Sequence, residues 1–327
     1  MNGKRIVVVL GGNIIQTDGR YAYTQQKVLE KTAIVLAKLI KEGHQLVITY
    51  DNNPQLENIY LQQMQSELMD QPSMTLDACG AMSQGMIGYW LENALDLRLR
   101  EFGISKPVVS LVTRAEVDPA DEAFWNPVWP IGPYYSKKEA TELMEETGEV
   151  YIEEDQNKGW RKVVPSPVPI KILEQQTIRT LADNGHVVIC AGGGGVPVIY
   201  RRGRYIGVEG VIDKDFASQK LAEEINADVL LMLTEVDHAY MNYNTPAEQA
   251  LQSIQTDEIE QLLKEGHFTP GSMLPKIRAA INFAKTSPER ECIITSPEQA
   301  SEALQGKTGT KIVKQTMKHR DGSFVSI

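Results

Sequence analysis

Arg5-Ile6-Val7-Val8-Val9-Leu10-Gly11-Gly12-Asn13 reads as a buried strand that ends on a bare glycine turn. A run with no polar face must be covered on both sides, which is the habit of a strand inside a parallel sheet. Outward from it the same alternation recurs. Residues 26–42 carry a helical stripe of Val28, Ile34, Val35, Leu39 and Ile40, closed by Gly43. Residues 45–49 form a second short apolar strand, Pro54 opens a helix to about residue 68, and residues 76–102 read as a long helical region interrupted by glycines. A further strand follows at 108–113. This order predicts an α/β fold with a mostly parallel sheet covered on both faces, and ligands at the carboxyl ends of the strands.

The pattern changes over residues 116–162, which are rich in acids, prolines and aromatics, with Trp125, Trp129, Trp160 and a Tyr134-Tyr135 pair. Residues 150–152 and 160–164 read as a hairpin, and the stretch as an inserted subdomain or lid. Alternation then resumes: helix 170–183, strand 186–191, four glycines, a hairpin across 196–211, helix 216–225, strand 228–233, helix 272–285, strand 292–295 and helix 297–303. We expect one domain over residues 1–313, with a protruding subdomain at about 115–165, a nucleotide lobe at about 213–313 and a polar tail at 314–327.

Composition narrows the function. With 42% apolar and 23% charged residues the chain is an ordinary globular one. Its 43 acidic residues outnumber 33 basic ones, and no basic run is present, so a nucleic-acid partner is not expected. Cys79, Cys190 and Cys292 are widely spaced without a CxxC, which argues against disulfides and structural zinc. The five histidines lack metal-ligand spacing, so no metal held by the protein is expected. Residues 6–10 are too short for a signal-peptide core and no apolar run spans a membrane, so the expectation is cytoplasmic, without a membrane partner.

Several segments carry chemistry. Gly11-Gly12-Asn13 leaves backbone open to an anion after a strand. Gly192-Gly193-Gly194-Gly195 is costly in chain entropy, and close approach of a phosphate or acyl phosphate explains all four at once. No Gly-Lys-Ser/Thr follows, so it is not a Walker A loop. Ile212-Asp213-Lys214-Asp215 sets a cation between two carboxylates, either to serve phosphoryl transfer or as a surface salt bridge with Asp215 capping a helix. Lys276 falls in the first turns of a helix, where a cation is disfavoured unless an anion lies before it. Arg201, Arg202 and Arg204 read as a solvated turn, and Asp118, Asp121 and Glu122 as solvated acids rather than catalytic ones.

Taken in order, these segments resemble the carbamate kinases of the amino-acid kinase superfamily. The resemblance rests on Leu10-Gly11-Gly12-Asn13, the stretch from Asp77 to Tyr89, Asp118-Pro119-Ala120-Asp121-Glu122, Pro130-Ile131-Gly132-Pro133-Tyr134, Gly159-Trp160, Val163-Val164-Pro165-Ser166-Pro167, the four glycines, Ile212-Asp213-Lys214-Asp215 and Gly271-Ser272-Met273 with Pro275-Lys276. It covers the chain to about Ile312. It implies a three-layer α/β/α sandwich with a protruding subdomain, a homodimer, and reversible phosphoryl transfer between ATP and carbamate, giving ADP and carbamoyl phosphate, with Mg²⁺ on the nucleotide. By position, Lys214 and Lys276 would stabilise the transferring group and Asp215 would hold the lysines. Gly11, Gly12, Asn13, Asn52, Gly193 and Gly194 would line the phosphoryl path, and Asp237 and Met273 would lie near the nucleotide.

The departures fall together. Where the family reads Thr-His-Gly-Asn-Gly-Pro-Gln-Val-Gly, this chain has Thr49-Tyr50-Asp51-Asn52-Asn53-Pro54-Gln55-Leu56-Glu57. Asp51, Asn53 and Glu57 replace glycines, and Trp129 replaces a lysine before Pro-Ile-Gly-Pro. A like charge in a partly buried site costs on the order of several kcal/mol unless it is paired or protonated. Three readings follow: a carbamate kinase that tolerates the changes, a kinase-fold enzyme with a cationic or amine-bearing acceptor, or a nucleotide-binding regulatory partner without catalysis.

Overall fold

The computed structural model describes residues 3–15, 22–67, 71–155, 158–268, 272–314, 316–318 and 324–326. The opening strand β1 (Arg5–Leu10) lies near the middle of an eight-stranded sheet. It pairs in parallel with β2 (Gln45–Tyr50) on one side, and on the other with the strand Val229–Leu233. Between β1 and β2 run the short α1 (Gly12–Ile15) and α2 (Ala22–Lys41). After β2 come α3 (Asn53–Glu67), α4 (Leu76–Glu101) and β3 (Val108–Ser110).

The one-residue alternation of the strands builds two cores. Ile6, Val8 and Leu10 face α2 and α4, whereas Val7 and Val9 face the opposite layer of helices. The arrangement is the expected three-layer sandwich. α2 corrects the expected stripe: it buries Leu29, Ala33, Leu36, Ala37 and Ile40, while Val28, Ile34 and Val35 are only half-buried. The close neighbour is α4. Alanines let two helix axes approach, and a search for large apolar residues undervalues them. α4 is also one unbroken helix despite its glycines. At Gly88 a Cβ would stand 2.0 Å from Ser110 Oγ, so the missing side chain is what lets α4 lie on β3.

The insertion is folded. A four-stranded sheet contains β4 (Arg114–Val117). β5 (Trp129–Tyr135), α5 (Lys137–Thr147), β6 (Tyr151–Asp155) and β7 (Gly159–Val164) then make a small sheet-and-helix unit, in which β6 and β7 are the expected hairpin. β8 (Pro169–Ile172) returns to the four-stranded sheet, and α6 (Gln175–Asp183) leads to β9 (Val187–Ile189) of the large one. The second expected hairpin is β10 (Val196–Arg201) with β11 (Arg204–Gly207), whose arginine turn is solvent-exposed as anticipated.

α7 (Lys214–Glu224) precedes β12 (Val229–Leu233). Past β12 lie the antiparallel pair β13 (Tyr240–Met241) and β14 (Gln249–Ala250), the edge strand β15 (Ser253–Gln255), α8 (Thr256–Lys264) and α9 (Met273–Lys285). The large sheet is completed by β16 (Glu291–Thr295) and β17 (Thr310–Val313), its one antiparallel neighbours among the described residues. Gly271, named in the sequence motif, lies outside the described residues, as does much of the tail. Within that tail Thr316–Lys318 and Phe324–Ser326 pair antiparallel. No helix among the described residues is long and apolar enough to cross a membrane.

Register brings one edge of this sheet to a common level. Leu10 pairs with Tyr50 and with Leu233, and Leu233 with Thr295. The segments that follow these strands therefore meet at their carboxyl ends, where α/β sheets bind ligands.

Candidate active site

A polar cavity of about 220 Å³ opens at that edge. Gly11 and Gly12 follow β1, Asp51 and Asn53 follow β2, Thr234 and Glu235 follow β12, and Trp129 comes from β5. Asp213, Lys214 and Asp215 enter at the start of α7, and Ser272 and Lys276 at the start of α9. Gly11 is tied to the next strand by its N–H, which donates to Leu233 O at 3.1 Å. Asn13 lies in α1, and its side chain is outside the description.

Both lysines are held by carboxylates. Lys276 Nζ donates to Asp215 Oδ2 at 3.0 Å, with both residues at most 5% exposed. Among the described residues Asp215 Oδ1, which is buried, has no hydrogen-bond partner. The expected cap is corrected: Asp213, not Asp215, starts α7, accepting from Asp215 N at 2.8 Å. Asp215, two residues on in the first turn, is thereby free to meet Lys276. Lys214 Nζ lies 2.8 Å from Asp51 Oδ2. The anions that make a cation tolerable at each helix start are thus part of the chain.

Burial works against the charged form of Asp51. The Lys214 ammonium and its hydrogen bond, with the Asn53 N–H, outweigh it and hold the carboxyl below its usual range. Lys214 is likewise opposed by burial but held above the usual lysine range by Asp215, Asp51 and Asp213. Burial and the repulsion of Asp215 push Asp213 up. A carboxylate with a depressed folded-state pKa contributes stability above its unfolded pKa, and that contribution is lost as pH falls through the folded value. Below about pH 4 the urea midpoint should therefore drop with acid. Asp51→Asn should make the drop shallower; an unchanged acid slope would mean that the pair is not formed in solution.

The other departures are also accommodated. Glu57 points away from the cavity and pairs with Arg161 of β7, which also meets Glu154 at 3.1 Å and donates from Nε to Gly132 O at 3.0 Å. Burial raises the Glu57 carboxyl pKa despite Arg161. The substituted loop therefore ties α3 to the small unit carrying β5–β7. Trp129 lines the cavity and packs on the cluster of Leu56, Leu76 and Ile131. Asp118 is solvent-exposed, as expected, and Asp121 is half-buried; both accept hydrogen bonds from backbone N–H groups.

Gly192–Gly195, read in the sequence as a phosphate-facing run, is closely packed by the chain itself. It makes a turn of 3₁₀ helix running into β10, and it does not line the cavity. Packing accounts for the whole run. A Cβ would stand 2.4 Å from the Tyr50 ring at Gly192, 1.7 Å from Asn52 Oδ1 at Gly193, 2.6 Å from Ile212 O at Gly194 and 3.2 Å from Thr113 O at Gly195. Asn52 is buried with it: Nδ2 donates to Ser83 Oγ at 2.6 Å, and Oδ1 has no partner among the described residues. Asn52, Gly192 and Gly193 border a separate void of about 10 Å³.

A second cavity of about 170 Å³ shares Thr234, Glu235 and Ser272 with the first and continues to Tyr240, Tyr243 and Met273. The two tyrosine rings lie 5.7 Å apart. Met273, which the resemblance sets near the nucleotide, is one of the residues lining this cavity. Asp237 is exposed, does not line either cavity, and accepts from Ser296 Oγ at 2.5 Å. The sequence reading does not single out Thr234, Glu235, Tyr240 or Tyr243. The signal for the first two was present, since they directly follow an apolar strand. A larger cavity, about 520 Å³, lies apart from these, between α3 and β7. Among the described residues no group of His, Cys, Asp or Glu is placed to hold a metal, and all three cysteines are free and buried.

Comparison with known proteins agrees with this architecture. The profile of the amino acid kinase family matches residues 4–296. Carbamate kinase 1 of Enterococcus faecium is 49% identical over 311 residues, covering 95% of this chain and 98% of the relative. Carbamate kinase 2 of Staphylococcus aureus is 47% identical over 309 residues, covering 94% and 99%. The structure of carbamate kinase from Giardia lamblia bound to AMP-PNP superposes with a TM-score of 0.91 at 42% identity, covering 96% of this chain and 99% of that one. A fold, a two-lysine cleft and near full-length similarity converge: the chain belongs to the amino acid kinase family, among its carbamate kinases.

Proposed function

We propose that the protein is a carbamate-kinase-like phosphotransferase, moving a phosphoryl group reversibly between ATP and carbamate. The observation that carries this reading is the convergence of Lys214 and Lys276 on one cleft, each anchored by a buried carboxylate. Phosphoryl transfer demands little covalent chemistry from a protein; it demands cations fixed along the path of the moving group. The P–O bond to ADP breaks as a P–O bond to the carbamate oxygen forms, and charge gathers on the equatorial oxygens between the two ammonium groups. Asp215 fixes Lys276, and Gly11 and Gly12 keep the approach free of side chains. The tyrosine-lined cavity suits the base and sugar of the nucleotide. AMP-PNP in the Giardia relative supports ATP as donor. Mg²⁺ would be brought by the nucleotide phosphates, where it would neutralise part of their charge. Residues 1–313 act as one catalytic unit, in a cytoplasmic homodimer.

The test is ATP formation from ADP, Mg²⁺ and carbamoyl phosphate. Steady ATP production is expected. Its absence, in protein that still binds AMP-PNP by calorimetry, would overturn carbamate as the acceptor in favour of another.

A further inference from the structure

Asp51 is fixed on several sides. Its backbone N–H donates to Leu10 O at 3.1 Å, Oδ1 accepts from Asn53 N at 2.9 Å, and Oδ2 meets Lys214 at 2.8 Å. The residue is 8% exposed. A Cβ on Gly12 would stand 3.1 Å from the same Oδ2, so this oxygen lies against the glycine turn. Between a bare turn and a lysine, a phosphate oxygen would make the same contacts. With Asp213, Asp215 and Glu235, four carboxylates line the cleft beside two ammonium groups before any substrate arrives.

We infer that Asp51 is a resident anion of the cleft, a specificity-determining residue that makes the acceptor side choose by ligand charge. It favours a monoanionic carboxylate over a dianionic phosphate or acyl phosphate. The physics is that of repulsion in a poorly screened site: a second negative charge on the ligand meets the fixed carboxylate a second time. Lys214, already shared, has less attraction left to offer it. Mg²⁺ offsets the charge of the nucleotide, but an acyl phosphate brings no such ion. The inference takes its acceptor from the carbamate-kinase reading, while its charge argument needs only the geometry.

Methylphosphonate and methanesulfonate have nearly the same shape, and at mildly alkaline pH they carry two charges and one. Their binding to the parent protein and to Asp51→Asn, measured by calorimetry without nucleotide, reads the charge effect directly. Methylphosphonate should bind the variant about tenfold tighter or more, and methanesulfonate no more than about threefold tighter. In turnover, the KM for carbamoyl phosphate should fall by a similar factor with a smaller change in kcat. Asp51→Glu should keep the discrimination, and Asp51→Ser replaces the Asn variant if that one does not fold. Equal gains for both ligands would show that Asp51 acts by bulk, and no gain that it lies off the anion path; either overturns the inference. Charge discrimination that persists in protein making no ATP would instead overturn the carbamate-kinase reading and leave this one standing.

Discussion

Lys276→Met should lower kcat by about 10³-fold, with the KM for nucleotide changed far less. Fixed donors aimed at charge that develops in a transition state are worth about 10²–10³-fold each, and this one is nearly sealed from solvent. The substitution also leaves Asp215 buried without its main partner, and breaking a buried pair from one side costs about 3–5 kcal/mol. Loss of activity through poor folding is separated by the double variant Asp215→Asn/Lys276→Met. It should regain most of the stability, measured by urea unfolding, and none of the turnover. A double variant that regained turnover would show Lys276 to be a structural lysine. Lys276→Arg should not rescue, because a planar guanidinium does not fit where a compact ammonium is held 3.0 Å from Asp215.

The second large effect is on stability. Gly194→Ala should destabilise the fold by about 3 kcal/mol or more. Overpacking a core costs about 1–3 kcal/mol, and a left-handed backbone adds about 1–2 kcal/mol for an L-residue. At Gly194, φ is +86° and the added carbon would meet the carbonyl oxygen of Ile212 at 2.6 Å, an atom that cannot rotate away. A phosphate-cradling glycine predicts the opposite, a stable variant with weakened ligand binding. Guanidinium unfolding beside nucleotide calorimetry separates the two. Retained stability with lost binding would restore the ligand role that the sequence suggests for this run. Because Ile212 leads directly into Asp213 and Lys214, some loss of turnover should accompany the destabilisation.

These two residues illustrate how sequence evidence divides. Lys276 was legible because a cation at a helix start asks for an anion, and that argument holds whatever the fold. The four glycines were legible as a special backbone but not as to what demanded it. Entropy cost marks a glycine run equally whether a ligand or a buried ring fills the space, and the filling atoms belong to Tyr50, Asn52 and Ile212. Asp237, a polar residue after a strand, accepts a hydrogen bond from Ser296 Oγ, a partner that sequence proximity does not reveal.

By itself the sequence determined the layers and the family. An apolar strand ending on glycines, repeated with helices between, admits little but a parallel sheet with its site at the strand ends, since burial on both faces and short connections are local demands. The substituted loop was decided only by the tertiary structure. Read along the chain, Asp51 and Glu57 look like two uncompensated charges in a phosphate site. Folded, Asp51 neutralises Lys214, and Glu57 turns away to Arg161 on another unit. The reason is that a buried charge is judged by its partner, and partners separated by a hundred residues or more meet only through the packing of the whole sheet.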